Sequence, residues 1–360
     1  MPTRTPLANL TTTALRHATA LGLRTLTPTR ARTTHARAAA GADADYGRPA
    51  EPHWTTIDWS EHVRDRTVRG RRVRYVELGD PAARPVVLVH GISSNWQNWL
   101  EQLARLAAEG YRAIALDLPG FGRSELPQEE EISMPGYGRL VDALCDELEL
   151  GPVSLVGHSM GGFIAAEAAI SIPERVERLV LVGAAGISHV DMRRAPLAVV
   201  GRLYPVLAAR QLIQTRWVAR RPLARHAVLS TIFRHPGRIR AELIFEIVSG
   251  AGSEGFPAAM LAIAAHDIRE RLPEVGCPTL VLWGSDDLLA PVEDAQEYAR
   301  LIPDVREVIM RDTGHMINSE RPEAFNRLLL EFLAAPAGAS VGDHRGEALT
   351  AGAQAPGDQR

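Results

Sequence analysis

Short runs of nearly unbroken apolar residues recur along the chain at Pro85–Val89, Arg112–Leu116, Val153–Val156, Leu179–Val182, Thr279–Trp283 and Val305–Met310. Runs of this length without polar alternation predict strands buried on both faces, as in a parallel sheet. Between them lie stretches of helical spacing: Trp96–Ala108, Gly136–Leu148, Met160–Ser171, Val292–Leu301 and Pro322–Phe332. The alternation predicts an α/β fold with a mostly parallel central sheet covered by helices on both faces. Ahead of it, two alternating runs between His62 and Leu78 flank Arg69-Gly70-Arg71 and predict a hairpin. The alternation breaks once, between Val182 and Thr279, where the apolar spacing is helical and no comparable run occurs. This predicts a helical cap over residues 186–271, inserted into a core of residues 54–185 and 272–333. Residues 1–53 read as a flexible basic tail and residues 334–360, rich in Ala and Gly, as a disordered one.

Composition changes little in this picture. A chain of 360 residues with 46 % hydrophobic and 23 % charged residues is of ordinary globular type, long enough for one large core with an insertion. The net charge of -3, with no lysine among the 40 cations, excludes a chain-wide electrostatic footprint for nucleic acid. Cys145 and Cys277 lie far apart, and no Cys/His spacing makes a metal site or a redox dithiol, so both read as buried, inert thiols. No stretch reaches the ~20 apolar residues of a membrane span. Residues 1–41 carry six arginines and no acid, but Arg16, His17 and Arg24 interrupt the apolar part, so no secretory core is present. An organellar transit peptide and a membrane-surface helix are the other readings of that segment. The absent signals point to the cytoplasm.

The chemistry sits at the strand ends. Val153–Val156 runs into Gly157-His158-Ser159-Met160-Gly161-Gly162 and then a helix, a strand, sharp turn and helix in which the glycines leave room for an exposed serine. A serine hydroxyl needs a base, and the base an orienting acid. Both follow in order: Gly284-Ser285-Asp286-Asp287-Leu288-Leu289-Ala290-Pro291 after one strand, and Asp312-Thr313-Gly314-His315 after the next. His90-Gly91-Ile92-Ser93-Ser94 closes the first strand on the same edge. The amides of Ile92 and Met160 are the candidate oxyanion donors.

Those segments, with Trp99, Asp117-Leu118-Pro119-Gly120-Phe121-Gly122-Arg123-Ser124 and Glu320-Arg321-Pro322, make the chain resemble the α/β-hydrolase fold superfamily, in its cap-bearing branch of serine esterases, lipases and carbon–carbon bond hydrolases. The resemblance covers about His62 to Leu333. It implies Ser159 as nucleophile, His315 as general base and Asp287, rather than Asp286, as the orienting carboxylate. A serine at the elbow argues against epoxide hydrolases and haloalkane dehalogenases, which use aspartate there. Neither a metal nor an organic cofactor is required.

Other conspicuous residues carry plainer readings. His158, Trp96 and Trp99 are expected to pack the core or the pocket wall, and Asp117 to Ser124 to shape a turn. From Met192 to Ala241 there are eleven arginines and no acid. The favoured reading is a solvated arginine face over helices whose apolar side closes the pocket; contact with an anionic membrane surface is the other. An apolar cap points to an apolar small-molecule partner, a carboxylic ester with a medium or long acyl or an aromatic part. Carbon–carbon hydrolysis or thioester cleavage would use the same triad. The carbon–carbon hydrolases usually carry tryptophan after this histidine, where Met316 stands here. A non-catalytic ligand- or lipid-binding protein is the reading from another class, and the oligomeric state is left open.

Overall fold

The computed structural model describes residues 45–188, 216–250, 252–336 and 344–349. Among them nine strands form one sheet in the order β1-β2-β4-β3-β5-β6-β7-β8-β9. They are β1 (Val63–Val68), β2 (Arg71–Leu78), β3 (Pro85–Val89), β4 (Arg112–Leu116), β5 (Val153–His158), β6 (Val176–Val182), β7 (Thr279–Gly284), β8 (Val305–Met310) and β9 (His344–Leu349). β1 and β2 form the hairpin, turned by Arg69 (φ 49°) and Gly70 (φ 77°), both in the left-handed region that matches the strand twist. β2 pairs antiparallel with β4, and every pairing from β4 to β9 is parallel. The carboxyl ends of β3, β5, β6, β7 and β8 therefore share one edge, where open α/β sheets build their sites.

Side chains alternate along these strands between two apolar layers. Leu155, Leu179, Leu181, Val281 and Trp283 meet helices α2 (Met134–Glu147), α3 (Met160–Ser171) and α8 (Val292–Leu301). Val156, Val180, Leu280, Leu282 and Val308 face α1 (Leu100–Ala108) and α10 (Pro322–Ala334) on the other side. Cys145 and Cys277 are buried in the first layer, where burial pushes their thiols up to about 12 and about 11, as expected of inert thiols.

Between β6 and β7 the described residues form α4 (Arg216–Ala219), α5 (Pro222–Leu229), α6 (Ala241–Val248) and α7 (Phe256–Ala265), with no strand. The part of the arginine-rich stretch before Arg216 lies outside the described residues. The rest is not a uniform solvated face. Arg225 is buried and donates to the carbonyls of Pro236 and Gly237, at 3.0 and 2.9 Å, and to that of Ala219. Arg240 pairs with the buried Glu101, while Arg220 and Arg221 are exposed, the latter over the Trp217 ring. No helix among the described residues is long and apolar enough to cross a membrane.

Both expected tails require correction. Residues 45–53 pack onto the core: Tyr46 is 3 % exposed, the Gly47 amide donates to the Glu320 carbonyl at 2.8 Å, and the Ala50 amide to the Glu101 carboxylate at 2.8 Å. One buried aromatic ring and these amide bonds anchor a segment whose composition carries no periodicity. Residues 1–44 lie outside the described residues. At the other end β9 adds to β8, a pairing made by backbone groups and so possible for a segment with little apolar bulk. Residues 337–343 and 350–360 lie outside the described residues.

Leu282 is fully buried in β7, directly before the loop that carries Asp287. Leu282→Ala is expected to cost about 3 kcal/mol, read as a lower urea midpoint with an unchanged slope.

Candidate active site

Ser159 stands between β5 and α3 with φ 54° and ψ -117°, a backbone conformation that side-chain-bearing residues rarely adopt. Its neighbours must be glycine for reasons of space. A Cβ on Gly157 would lie 2.2 Å from the Gly161 carbonyl oxygen, and one on Gly161 2.2 Å from that of Val89. A Cβ on Gly162 would lie 2.7 Å from the Ala184 methyl. The turn is thus locked by contact with β3 and with the chain leaving β6.

His315 Nδ1 is 2.7 Å from Asp287 Oδ2, with both side chains buried. A carboxylate only accepts, so Nδ1 carries a proton, and in the neutral ring the lone pair is at Nε2. The other oxygen, Oδ1, accepts the amides of Leu289 at 2.8 Å and Ala290 at 2.9 Å, which fixes the carboxylate plane. Asp286, by contrast, turns outward to the Ser285 hydroxyl and Arg234. Gly183, at the end of β6, leaves room for the pair: a Cβ there would sit 3.3 Å from His315 Nδ1 and 3.4 Å from Asp287 Oδ2.

Ser159 and His315 open into one cavity with Gly91, Ile92 and His158. Its wall is otherwise largely apolar, with Ile232, Phe233, Ile247 and Val248 contributed by the insertion and Leu289 by the Asp287 loop. Ser93, Ser94 and Asn98 are the polar exceptions, and the Ser94 hydroxyl and both side-chain polar atoms of Asn98 are buried without a partner. A buried amide without partners is costly, so this spot favours a polar ligand group or water. The amides of Ile92 and Met160 have no acceptor among the described residues, as donors for an oxyanion require.

Buried polar groups hold the loops around the cavity. His90 donates from Nδ1 to the Gly91 carbonyl at 2.7 Å, and its Nε2 accepts the Leu118 amide at 2.9 Å. Burial pushes its pKa down to about 4, so the ring is neutral. Asp117 accepts the amides of Trp96 at 2.9 Å and Arg123 at 2.8 Å. Burial pushes its carboxyl up to about 6 against the pull of those amides. The Asp117 to Ser124 segment is therefore a loop brace, as read from its turn residues. His158 is part of the wall, and its Nε2 donates to the His315 carbonyl at 3.0 Å. Burial and the neighbouring His315 hold it well below its ordinary pKa. Trp99 is wholly buried, edge-on to His158.

Of the residues singled out from the sequence, Ser159, His315 and Ile92 line one cavity, Asp287 is bonded to His315, and Met160 follows Ser159 as the first residue of α3. Gly183, Asn98 and Ile232 were not singled out, because nothing local marks them: a loop glycine, a polar residue in a short 3-10 helix, and an aliphatic one in an insertion.

In the folded protein His90 binds no proton until about pH 4, whereas in the unfolded chain it titrates near 6.5. Between these values the unfolded state binds more protons, so His90 makes stability fall on acidification, by up to about 3 kcal/mol at pH 4. Its Cε1 proton should show no titration above pH 5 by NMR; a ring titrating near 6.5 would contradict the assigned bonds.

Comparison with known proteins agrees with this geometry. The model of the alpha/beta hydrolase family matches residues 86–328. The chain is 32 % identical over 275 residues to the dihydrolipoyllysine-residue acetyltransferase component of the acetoin cleaving system of Pseudomonas putida, covering 74 % of this chain and 68 % of that one. It is 28 % identical to a 2-hydroxy-6-oxo-6-phenylhexa-2,4-dienoate hydrolase of Comamonas testosteroni, over 72 % of this chain and 91 % of that one. Among solved structures, the enol-lactonase from Burkholderia xenovorans LB400 superposes with a TM-score of 0.61 at 26 % identity, covering 76 % of this chain and all of that one. With a strained serine elbow, a buried His–Asp pair and a family match spanning both, the chain belongs to the alpha/beta hydrolase family.

Proposed function

We propose that this protein is a serine hydrolase that cleaves a carboxylic ester with an apolar acyl or aromatic part. The observation that carries this reading is the His315–Asp287 hydrogen bond, which leaves the Nε2 lone pair of His315 in the cavity that Ser159 also lines. In this mechanism His315 Nε2 takes the Ser159 proton as Oγ attacks the ester carbonyl. The Ile92 and Met160 amides hold the negative charge that develops on the carbonyl oxygen. The tetrahedral adduct collapses, His315 returns the proton to the leaving alcohol, and Ser159 keeps the acyl group. Water, deprotonated by His315, then releases the acid and restores the serine. Asp287 keeps the imidazole in the productive tautomer and stabilises its charged form.

The apolar walls from Ile232, Phe233, Ile247 and Val248 support an apolar acyl group, with the insertion serving as a cap over the pocket. A second reading is favoured by one feature, the unpartnered Asn98 and Ser94. A substrate with a polar carbonyl–enol end beside an apolar part would satisfy them, and a relative is named as a hydrolase of such a 2-hydroxy-6-oxo-dienoate.

Hydrolysis of p-nitrophenyl esters from acetate to palmitate separates these readings when run beside a 2-hydroxy-6-oxo-6-phenylhexadienoate. The ester reading expects turnover that rises beyond acetate, is abolished in Ser159→Ala and falls by about 10⁴-fold in Asp287→Asn. Turnover of the dienoate alone, with Ser159 still labelled by a fluorophosphonate, would replace the ester reading by the second.

A further inference from the structure

His315 sits on a loop whose three successive amides are all held, one by a distant part of the chain and two by a carboxylate a few residues further on. The amide of His315 itself donates to the Ile232 carbonyl at 2.8 Å. Those of its neighbours, Gly314 and Met316, both donate to the carboxylate of Glu320, at 3.0 and 3.2 Å. Glu320 is fully buried, in the short helix α9 (Ile317–Glu320), and two further donors converge on it. One is the amide of Arg234 at 2.9 Å, from the insertion; the other is the hydroxyl of Tyr46, from the N-terminal segment. The Tyr46 oxygen in turn accepts the amide of His235 at 2.8 Å, so its proton is committed to Glu320. Space is as tight as the bonding: a Cβ on Gly314 would lie 2.7 Å from the Arg234 nitrogen and 3.0 Å from Glu320 Oε1.

Burial pushes the Glu320 carboxyl up, while every group facing it is a donor, so the four bonds are made best when both oxygens accept, in the ionised form. None of these partners touches the cavity through Glu320, and the acyl-transfer mechanism assigns it no step. The geometry points to Glu320, with Tyr46 completing its shell, as a positioning residue: a buried carboxylate that sets the location of the His315 imidazole by clamping the amides on either side of it. The clamp also ties the base to the pocket wall, because Ile232, which holds the His315 amide, lines the cavity next to Phe233. The N-terminal segment, expected from its composition to be a loose tail, becomes part of the site's support.

The role rests on the serine-hydrolase reading, in which a displacement of the base by about 1 Å lowers turnover by up to ~10²-fold. The test uses the full chain and two variants. Glu320→Gln keeps the shape but turns an amide NH₂ toward donors, and Tyr46→Phe removes one donor while leaving the carboxylate and its main-chain bonds. Positioning predicts a kcat about tenfold lower or more in Glu320→Gln and several-fold lower in Tyr46→Phe, with KM within about twofold in both. The rate of Ser159 labelling by a fluorophosphonate should fall in parallel with kcat. A lower melting temperature with kcat and labelling rate unchanged below the transition would make Glu320 a purely structural residue and overturn the proposal. A rise in KM alone would overturn it as well. If Glu320→Gln does not fold, Tyr46→Phe decides by the same criteria. If the wild-type protein is not labelled at all, the serine-hydrolase reading itself fails. Positioning is then read from the proton in the His315 Nδ1 to Asp287 bond, whose downfield NMR resonance must shift or broaden in Tyr46→Phe; an unchanged resonance overturns the proposal.

Discussion

At the carboxyl end of β5 three stretches of backbone must come closer together than any side chain permits. Gly161 rests against the Val89 carbonyl, Gly157 against Gly161, and Gly162 against Ala184, so the elbow wedges between β3 and the exit of β6. Ser159 keeps its positive φ because both sides of the turn are occupied. The hydroxyl is thereby presented at the sheet edge, and the first amides of α3 are turned toward the same space. The parallel order β3-β5-β6-β7-β8 then brings the other loops to this edge. Without the elbow there is no common edge site for them to serve.

Loops at a sheet edge bury backbone amides that the ladder no longer satisfies, and in this protein side-chain acceptors satisfy many of them. Asp117 takes those of Trp96 and Arg123, His90 that of Leu118, Asp287 those of Leu289 and Ala290, and Glu320 those of Gly314, Met316 and Arg234. Asp117, His90 and Glu320 join separate segments through these bonds, and Asp287 joins its own loop to that of His315. The same logic orients the imidazoles. Of the three rings at this sheet edge, His90 and His158 are neutral with one nitrogen donating to a carbonyl, while His315 donates from Nδ1 to a carboxylate. Only such a ring gains from becoming charged during proton transfer.

The insertion has two functions in the fold. Its apolar residues close the cavity, and its backbone at Ile232 and Arg234 reaches the His315 loop and the Glu320 carboxylate. Some of its arginines are used internally: Arg225 satisfies carbonyls within the insertion, and Arg240 neutralises Glu101, which also holds the N-terminal segment. Changes of cavity-lining residues on this insertion are therefore made next to the groups that hold the His315 loop.

The strands, the flanking helices and the order of Ser159, Asp287 and His315 were legible in the amino-acid pattern because they depend on local rules. A doubly buried strand must be apolar throughout, a sharp elbow must have glycines, and a triad on parallel strands must follow the strand order. β3, β4, β8, α3 and α8 have the bounds that their residues suggest. What escaped depends on partners far apart in the chain. Tyr46 and Glu320 are 274 positions apart, and neither stands in a periodic pattern that announces the other. Residues 45–53 and β9 carry no pattern that announces them, because a few specific hydrogen bonds rather than a run of apolar side chains hold them. The sheet, its loop-bearing edge and the chemical types placed there can be read from the residues alone, since they follow from burial and backbone sterics. Only the tertiary structure decided which buried carboxylate braces which loop, and that the N-terminal segment and the insertion meet at Glu320, because a buried charge is satisfied by donors gathered in space from anywhere along the chain.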